Sequence, residues 1–225
     1  VETFPALGSL TLLDHNRRLL EAGAGLRRAA PPPLANAETI HGELGSPPLG
    51  DRFFDLVVAS YALTELGDGP VVAAALELWE RCAGTFVIVE PGRPRDYARL
   101  MAVRRALVDA GAMIVAPCPH ALDCPLPEGD WCHFNVRLPR RRMHRQAKGA
   151  SLGYKDEKFS YLVVARGDFG RQPIAARVIK PPIVNKFEAV LPLCTPEGLE
   201  DRVIAKRDGE AFRAVRKLAW GDAAG

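Results

Sequence analysis

The sequence has no apolar run approaching the roughly 20 residues that cross a bilayer, which excludes a helical membrane span and sets membrane aside as a partner. No basic stretch followed by an apolar core is legible at its start, so no secretory signal is read. It lacks the closely spaced cysteine pair of a structural zinc knuckle and the Asn-Pro-Pro-Tyr type of base-methylating motif. No internal repeat or low-complexity tract appears. One absence is local: from Trp131 to Lys155 there is no acid against seven Lys and Arg, although the whole chain carries 30 basic and 27 acidic residues, a formal net charge of +3. The total is too small to mark a nucleic-acid binder; the concentration of charge says more. At 225 residues, with 48% apolar and 25% charged residues, the chain suffices for one α/β domain with a small appendage. Five cysteines without a secretory signal argue for thiol or metal chemistry rather than a disulfide scaffold.

Periodicity predicts alternating strands and helices. Val1 to Pro5 reads as the tail of a preceding element, and Ser9 to Asp14 as a short strand ending in an acid. Arg17 to Ala22 reads as a helix stopped by Gly23, residues 29–36 as a proline-rich loop, and Ala37 to His41 as a second strand. Phe53 to Ser60 is apolar enough for a central strand covered on both faces. A helix over Val71 to Cys82, a strand over Thr85 to Glu90, a helix over Arg95 to Ala110 and a strand over Ala112 to Ala116 follow. This alternation implies an α/β fold with a parallel, doubly wound sheet. Residues 117–157 show no sustained period, and Phe159 to Arg166 returns as a strand. The expected organisation is therefore a Rossmann-like domain over 1–116 and 158–170, a Cys/Arg-rich insertion over 117–157 and a β-rich segment over 171–225. Within that last segment, Ala176 to Ile179, Phe187 to Leu191 and Arg202 to Lys206 read as strands and Glu210 to Leu218 as a basic helix.

Ligands of open α/β sheets bind outside the carboxyl ends of the strands. Asp14, Glu43, Ser60 and Tyr61 fall at such ends and are the candidate cofactor-binding residues. An acid at Asp14 can accept both ribose hydroxyls of a nucleoside; a helix cap next to Asn16 is the competing reading. Glu65 reads as a solvent-facing carboxylate. No glycine-rich turn precedes Asp14, so a nucleoside-cofactor domain here expects its first strand and glycine loop upstream of the sequence shown.

Cys118, Cys124 and Cys132 lie within 15 residues, and Cys194 comes 62 positions later. Proline follows Cys118 and Cys124 directly and Cys194 at one remove, stiffening each loop and removing backbone donors that compete for a thiolate. The wide spacings suit an iron–sulfur cluster better than a single ion. Zinc held by three cysteines and one of His120, His133 or His144 stays open, as do free thiols. Cys82, inside an amphipathic helix on this reading, is a structural thiol. Arg137, Arg140, Arg141, Arg142, Arg145 and Lys148 form the basic run expected to meet RNA phosphates, with Trp131, Phe134 and Tyr154 offering flat faces for bases.

Several strings then carry a resemblance: Ala116-Pro-Cys-Pro-His120, Cys124-Pro125, Gly129-Asp-Trp-Cys-His-Phe134, His144-Arg145, Asp156-Glu-Lys-Phe-Ser-Tyr161 and Trp220-Gly-Asp222. With Val57 to Leu66 and Val89-Glu-Pro-Gly92, they resemble the methyltransferase-like protein of the mitochondrial small ribosomal subunit and its bacterial relatives, over about Leu10 to Asp222. The resemblance implies a class I methyltransferase fold that binds S-adenosylmethionine, and attachment to rRNA and proteins of the small ribosomal subunit during its assembly. It also implies a 4Fe–4S cluster on Cys118, Cys124, Cys132 and Cys194, and puts the cofactor acid at Asp14. The function expected is methylation of rRNA, assembly of the small subunit, or both, with no general base named. The alternatives are a non-catalytic RNA-binding assembly factor and a cluster-based redox or iron sensor. Composition without a visible presequence fits a bacterial cytoplasm; a missing start would equally hide a mitochondrial transit peptide.

Overall fold

The computed structural model describes residues 4–167 and 174–224. Most of the Val1–Pro5 lead-in and the expected boundary between residues 170 and 171 lie outside the described residues. Thr11–Asp14 (β1), Arg17–Arg27 (α1) and Glu38–His41 (β2) form a βαβ unit, its strands parallel with Thr11 opposite Glu38 and Asp14 opposite His41. Phe54–Ser60 (β3), Val71–Glu80 (α2) and Cys82–Pro91 (β4) form a second one, also parallel. Pro94–Asp109 (α3) and Met113–Ala116 (β5) continue the alternation. The α/β, Rossmann-like class is therefore present.

The sheet is mixed rather than parallel. Phe134–Pro139 (β6), Arg142–Ala147 (α4) and Tyr154–Ala165 (β7) follow β5, and the strand order is β3-β4-β7-β5. β7 runs antiparallel to both β4 and β5, because the chain re-enters the sheet from a hairpin instead of a crossover helix. Its first half pairs with β6, from Phe134 opposite Phe159 to Pro139 opposite Tyr154, and its second half with β4. So the stretch 117–157, read as aperiodic, contains a strand, a short helix and the start of β7.

Other local expectations shift for identifiable reasons. α1 runs through Gly23 to Arg27, since Gly23 does not take the left-handed conformation that would end a helix. Asn16, not Asp14, caps it, its side chain accepting from the amides of Arg18 and Leu19 at 3.1 and 3.2 Å. β3 is an edge strand with Val58 58% exposed, where an apolar run had suggested a central one. Cys82 opens β4 instead of closing a helix, and is wholly buried. Gly92 allows the loop after β4 to touch β7: a Cβ there would lie 2.8 Å from the Lys158 carbonyl carbon and the Phe159 nitrogen.

The main core joins Phe86 and Ile88 of β4, Leu162 and Val164 of β7, Leu100, Val103 and Leu107 of α3, and Leu78 and Trp79 of α2. The chain after β7 forms a second, antiparallel sheet from Ala176–Val178 (β8), Ile183–Val184 (β9), Glu188–Thr195 (β10), Gly198–Ala205 (β11) and Ala223–Ala224 (β12), with Glu210–Val215 (α5) beside it. It has its own small core of Ala176, Val178, Leu191, Leu193 and Ala224. This is the β-rich segment in outline, with β10 extending four residues past the expected strand and carrying Cys194 in it.

A candidate metal centre beside a strand-end cleft

α3 sends its apolar stripe into the main core and its Tyr97 and Arg104 toward the loop after β5. That loop carries Cys118 and Cys124, Cys132 precedes β6, and Cys194 sits near the end of β10. All four line one small cavity of about 30 Å³, together with Tyr97, Phe134, Tyr161, Arg177 and other side chains. The cavity lies where the second sheet meets the first, so β10 supplies the thiol that is distant in sequence. All five cysteines are free.

Hydrogen bonds fix the walls. Tyr97 Oη donates to Cys124 Sγ at 3.0 Å, and Ser160 Oγ to the Cys132 carbonyl at 2.8 Å. Arg104 Nη2 donates to the carbonyls of His120 and Leu122 at 2.9 and 2.8 Å. Arg177 Nε donates to the Pro117 carbonyl at 2.9 Å. Burial in this apolar cavity disfavours the thiolate: it pushes Cys118 up against the opposing pull of Arg104, raises Cys132, and takes Cys194 to about 12. Burial thus favours the neutral thiol at Cys118, Cys132 and Cys194, and a metal would displace those protons. Among the described residues, no group of three His, Cys, Asp or Glu converges as the ligands of a single ion do. His120 Nε2 is 3.7 Å from Cys194 Sγ, while His133 stacks on Trp131 with ring centroids 5.1 Å apart and His144 is exposed on α4.

Asp14, Glu43, Ser60 and Tyr61 line one strand-end cleft with Glu65, which is exposed as expected. Asp14 Oδ1 accepts from the Asn16 amide at 2.7 Å. Tyr61 is a non-glycine residue at φ 57°, and its hydroxyl donates to Glu157 at 3.1 Å. Burial first, then Glu157, raises the Tyr61 hydroxyl to about 12. Beside it, β1 and β3 present open edges to a second, apolar cleft lined by Leu12, Leu13, Val57 and Val58.

Glu90 lies within one of the family-like strings and carries no role in the sequence reading. Its carboxylate, 3% exposed at the end of β4, accepts from the amides of Leu63 and Thr64 at 3.1 and 3.0 Å and so holds the turn that follows β3. Burial raises it to about 7. Asp96, also buried, accepts from Thr64 Oγ1 at 2.9 Å and from Arg93. A lone Glu in an apolar strand was the available signal.

The basic run is less uniform than its composition. Arg137 makes a two-pronged bond to Asp156, at 2.7 and 2.9 Å, and covers the Tyr154 ring at 4.0 Å. The acid-free stretch ends one residue short of Asp156. Arg140 and Arg145 are half-buried, each with Nε buried and without a partner. Arg141, Arg142 and Lys148 are exposed around α4. Phe134 is 3% exposed and packs on Phe159 and Tyr161, so it is a core residue and not a face for a base. Trp131 Nε1 is engaged with the Gly92 carbonyl at 3.1 Å.

These features define an α/β domain with Rossmann-like alternation of strands and helices and a thiol-lined cavity at its junction with a β-rich tail. The family described as mitochondrial small ribosomal subunit Rsm22 matches residues 1–224, and the chain belongs to that family. It is 27% identical over 182 residues to the human mitochondrial ribosome assembly protein METTL17, covering 75% of this chain and 39% of the human protein. It is 24% identical over 274 residues to the mitochondrial Rsm22-cox11 tandem protein 2 of Schizosaccharomyces pombe, covering 97% of this chain and 35% of the yeast protein. The chain thus spans little more than a third of either relative. Among solved structures it is similar to the YcgJ protein of Bacillus subtilis, with a TM-score of 0.45 at 13% identity over 73% of this chain and 86% of that one.

Proposed function

We propose that this chain is part of a methyltransferase-family factor that acts on the small ribosomal subunit, built around an iron–sulfur cluster held by Cys118, Cys124, Cys132 and Cys194. The observation that carries the metal reading is the gathering of these four thiols around one cavity, three from the 118–132 stretch and one from β10. The donor set fits: four thiolates suit a cluster or zinc and do not suit hard cations. A buried arginine behind Cys118, with one nitrogen unpartnered, also fits an anionic occupant. Ligation would tie the 117–132 loop to the β-rich sheet and add binding energy to folding. Protein purified without oxygen should hold about four iron and four sulfide per chain if one cubane fills the site. Stoichiometric zinc without sulfide would overturn the cluster.

Asp14, Glu43, Ser60 and Tyr61 are the residues proposed to meet S-adenosylmethionine, since they share one strand-end cleft. The open edges of β1 and β3 support the reading that a further strand with its glycine turn belongs between them. The basic run, through its exposed Arg141, Arg142 and Lys148, is proposed to meet rRNA phosphates. Family membership and the assembly role in the human relative's name support the small subunit as target. Both relatives are mitochondrial by name, which supports the mitochondrial alternative for location; the bacterial reading rests on composition. Labelled methyl transfer to isolated small subunits would establish an enzyme. Donor binding and subunit binding without transfer would establish the non-catalytic factor.

A further inference from the structure

Among the described residues, Arg104 behind Cys118 and Arg177 in the wall of the thiol cavity have no acid to pair with. Arg104 is 4% exposed, donates to the carbonyls of His120 and Leu122, lies against Cys118, and keeps Nε buried without a partner. Arg177 lies on β8 directly opposite Cys194 and lines the cavity. It donates to the carbonyls of Pro117 and Gly221, at 2.9 and 2.8 Å. Among the described residues, neither guanidinium has a carboxylate within ion-pair distance, although most arginines near α3 do. A buried guanidinium without a counter-charge is costly, and carbonyls alone solvate it incompletely. Four thiolates around an iron–sulfur core would supply that counter-charge, because they bring more negative charge than the core offsets.

We propose that Arg104 and Arg177 are positioning residues of the cluster site, gripping the ligand loop by its carbonyls and balancing the charge of the ligated thiolates. This rests on the cluster reading above. Each side chain then has two separable jobs. The fork geometry holds Pro117, His120 and Leu122 so that Cys118 and Cys124 face Cys132 and Cys194. The positive charge favours the reduced, more negative form of the cluster and so raises its reduction potential.

The test uses anaerobically purified chain carrying Arg104→Gln, Arg104→Lys, Arg177→Gln or Arg177→Lys. Iron and sulfide are counted and the cluster potential is measured by spectroelectrochemical titration. Each Gln variant is expected to shift the reduced-to-oxidised ratio at fixed potential about tenfold toward the oxidised form, about 59 mV for one electron. The Lys variants should stay near the wild-type potential yet lose iron faster in air, since the charge remains and the fork is gone. A Gln variant that takes up no cluster, beside a Lys variant that does, also supports the assignment. Potentials and air stability unchanged in all four variants of a cluster-bearing protein would overturn the arginine role alone. A wild-type chain without iron and sulfide would overturn the cluster reading, and the arginine role with it.

Discussion

Cys194 Sγ lies 3.7 Å from His120 Nε2, although 74 residues separate the two. The contact joins the end of β10 to the loop after β5, and so joins the second sheet to the first.

Replacing Cys194 by Ser should remove most bound iron and expose residues 117–157 to protease, because the loop there has few buried apolar side chains of its own. Cys82→Ser should leave iron content unchanged, since Cys82 is buried in the main core away from the cavity. Limited proteolysis with iron analysis checks both; equal iron loss in the two variants would refute the ligand set.

Arg141 and Arg142 are exposed and form no ion pair among the described residues, so their replacement by Ala should leave thermal stability nearly unchanged. Affinity for small-subunit rRNA should lose salt dependence worth about two phosphate contacts. Arg137→Ala, by contrast, removes the bond to Asp156 and the cover of Tyr154, and should act on local structure. An unchanged salt slope in the double variant would return the stretch to a solvated surface.

Glu90 gives a pH signature. Burial raises its carboxyl from 4.5 to about 7, so the native state holds the proton more tightly than the unfolded chain. Stability should therefore fall as pH rises from 4.5 to about 7 and level off above that, a contribution of about 3 kcal/mol. Glu90→Gln should flatten this stretch of the profile while losing one of the two amide bonds, at about 1 kcal/mol. Chemical denaturation at pH 5 and pH 8 measures both; parallel profiles for wild type and variant would exclude Glu90 as the source.

S-adenosylmethionine should bind this chain weakly, and a longer form supplying a strand and glycine turn between β1 and β3 about tenfold more tightly or better, about 1.4 kcal/mol. In that longer form Asp14→Ala should cost about tenfold, for lost ribose hydrogen bonds. Calorimetry on the two forms decides; equal affinities would refute the missing-strand account.

The alternation of strands and helices was legible because buried periodicity is local: Leu100, Val103 and Leu107 mark the inner face of α3, and all three are buried. The position of a strand within its sheet was not. Phe54 to Ser60 has the composition of a central strand and lies at an edge, since an apolar run records burial demand and not what meets it. The hairpin of β6 and β7 was missed because Arg137, Pro139 and Lys155 outweighed an alternation that becomes meaningful once the two strands pair. Phe134 reads as a surface ring in the sequence for the same reason.

Chemical type, spacing and proline neighbours were enough, in the sequence alone, to single out Cys118, Cys124, Cys132 and Cys194, since side-chain chemistry and local stiffness are properties of the residue and its neighbours. Their common cavity, the strand-end cleft shared by Asp14 and Tyr61, the pairing of Arg137 with Asp156 and the two uncompensated arginines at the thiols were decided only by the tertiary structure. Each of these joins groups far apart in the chain, and their meeting depends on how sheets pack, which no local pattern encodes.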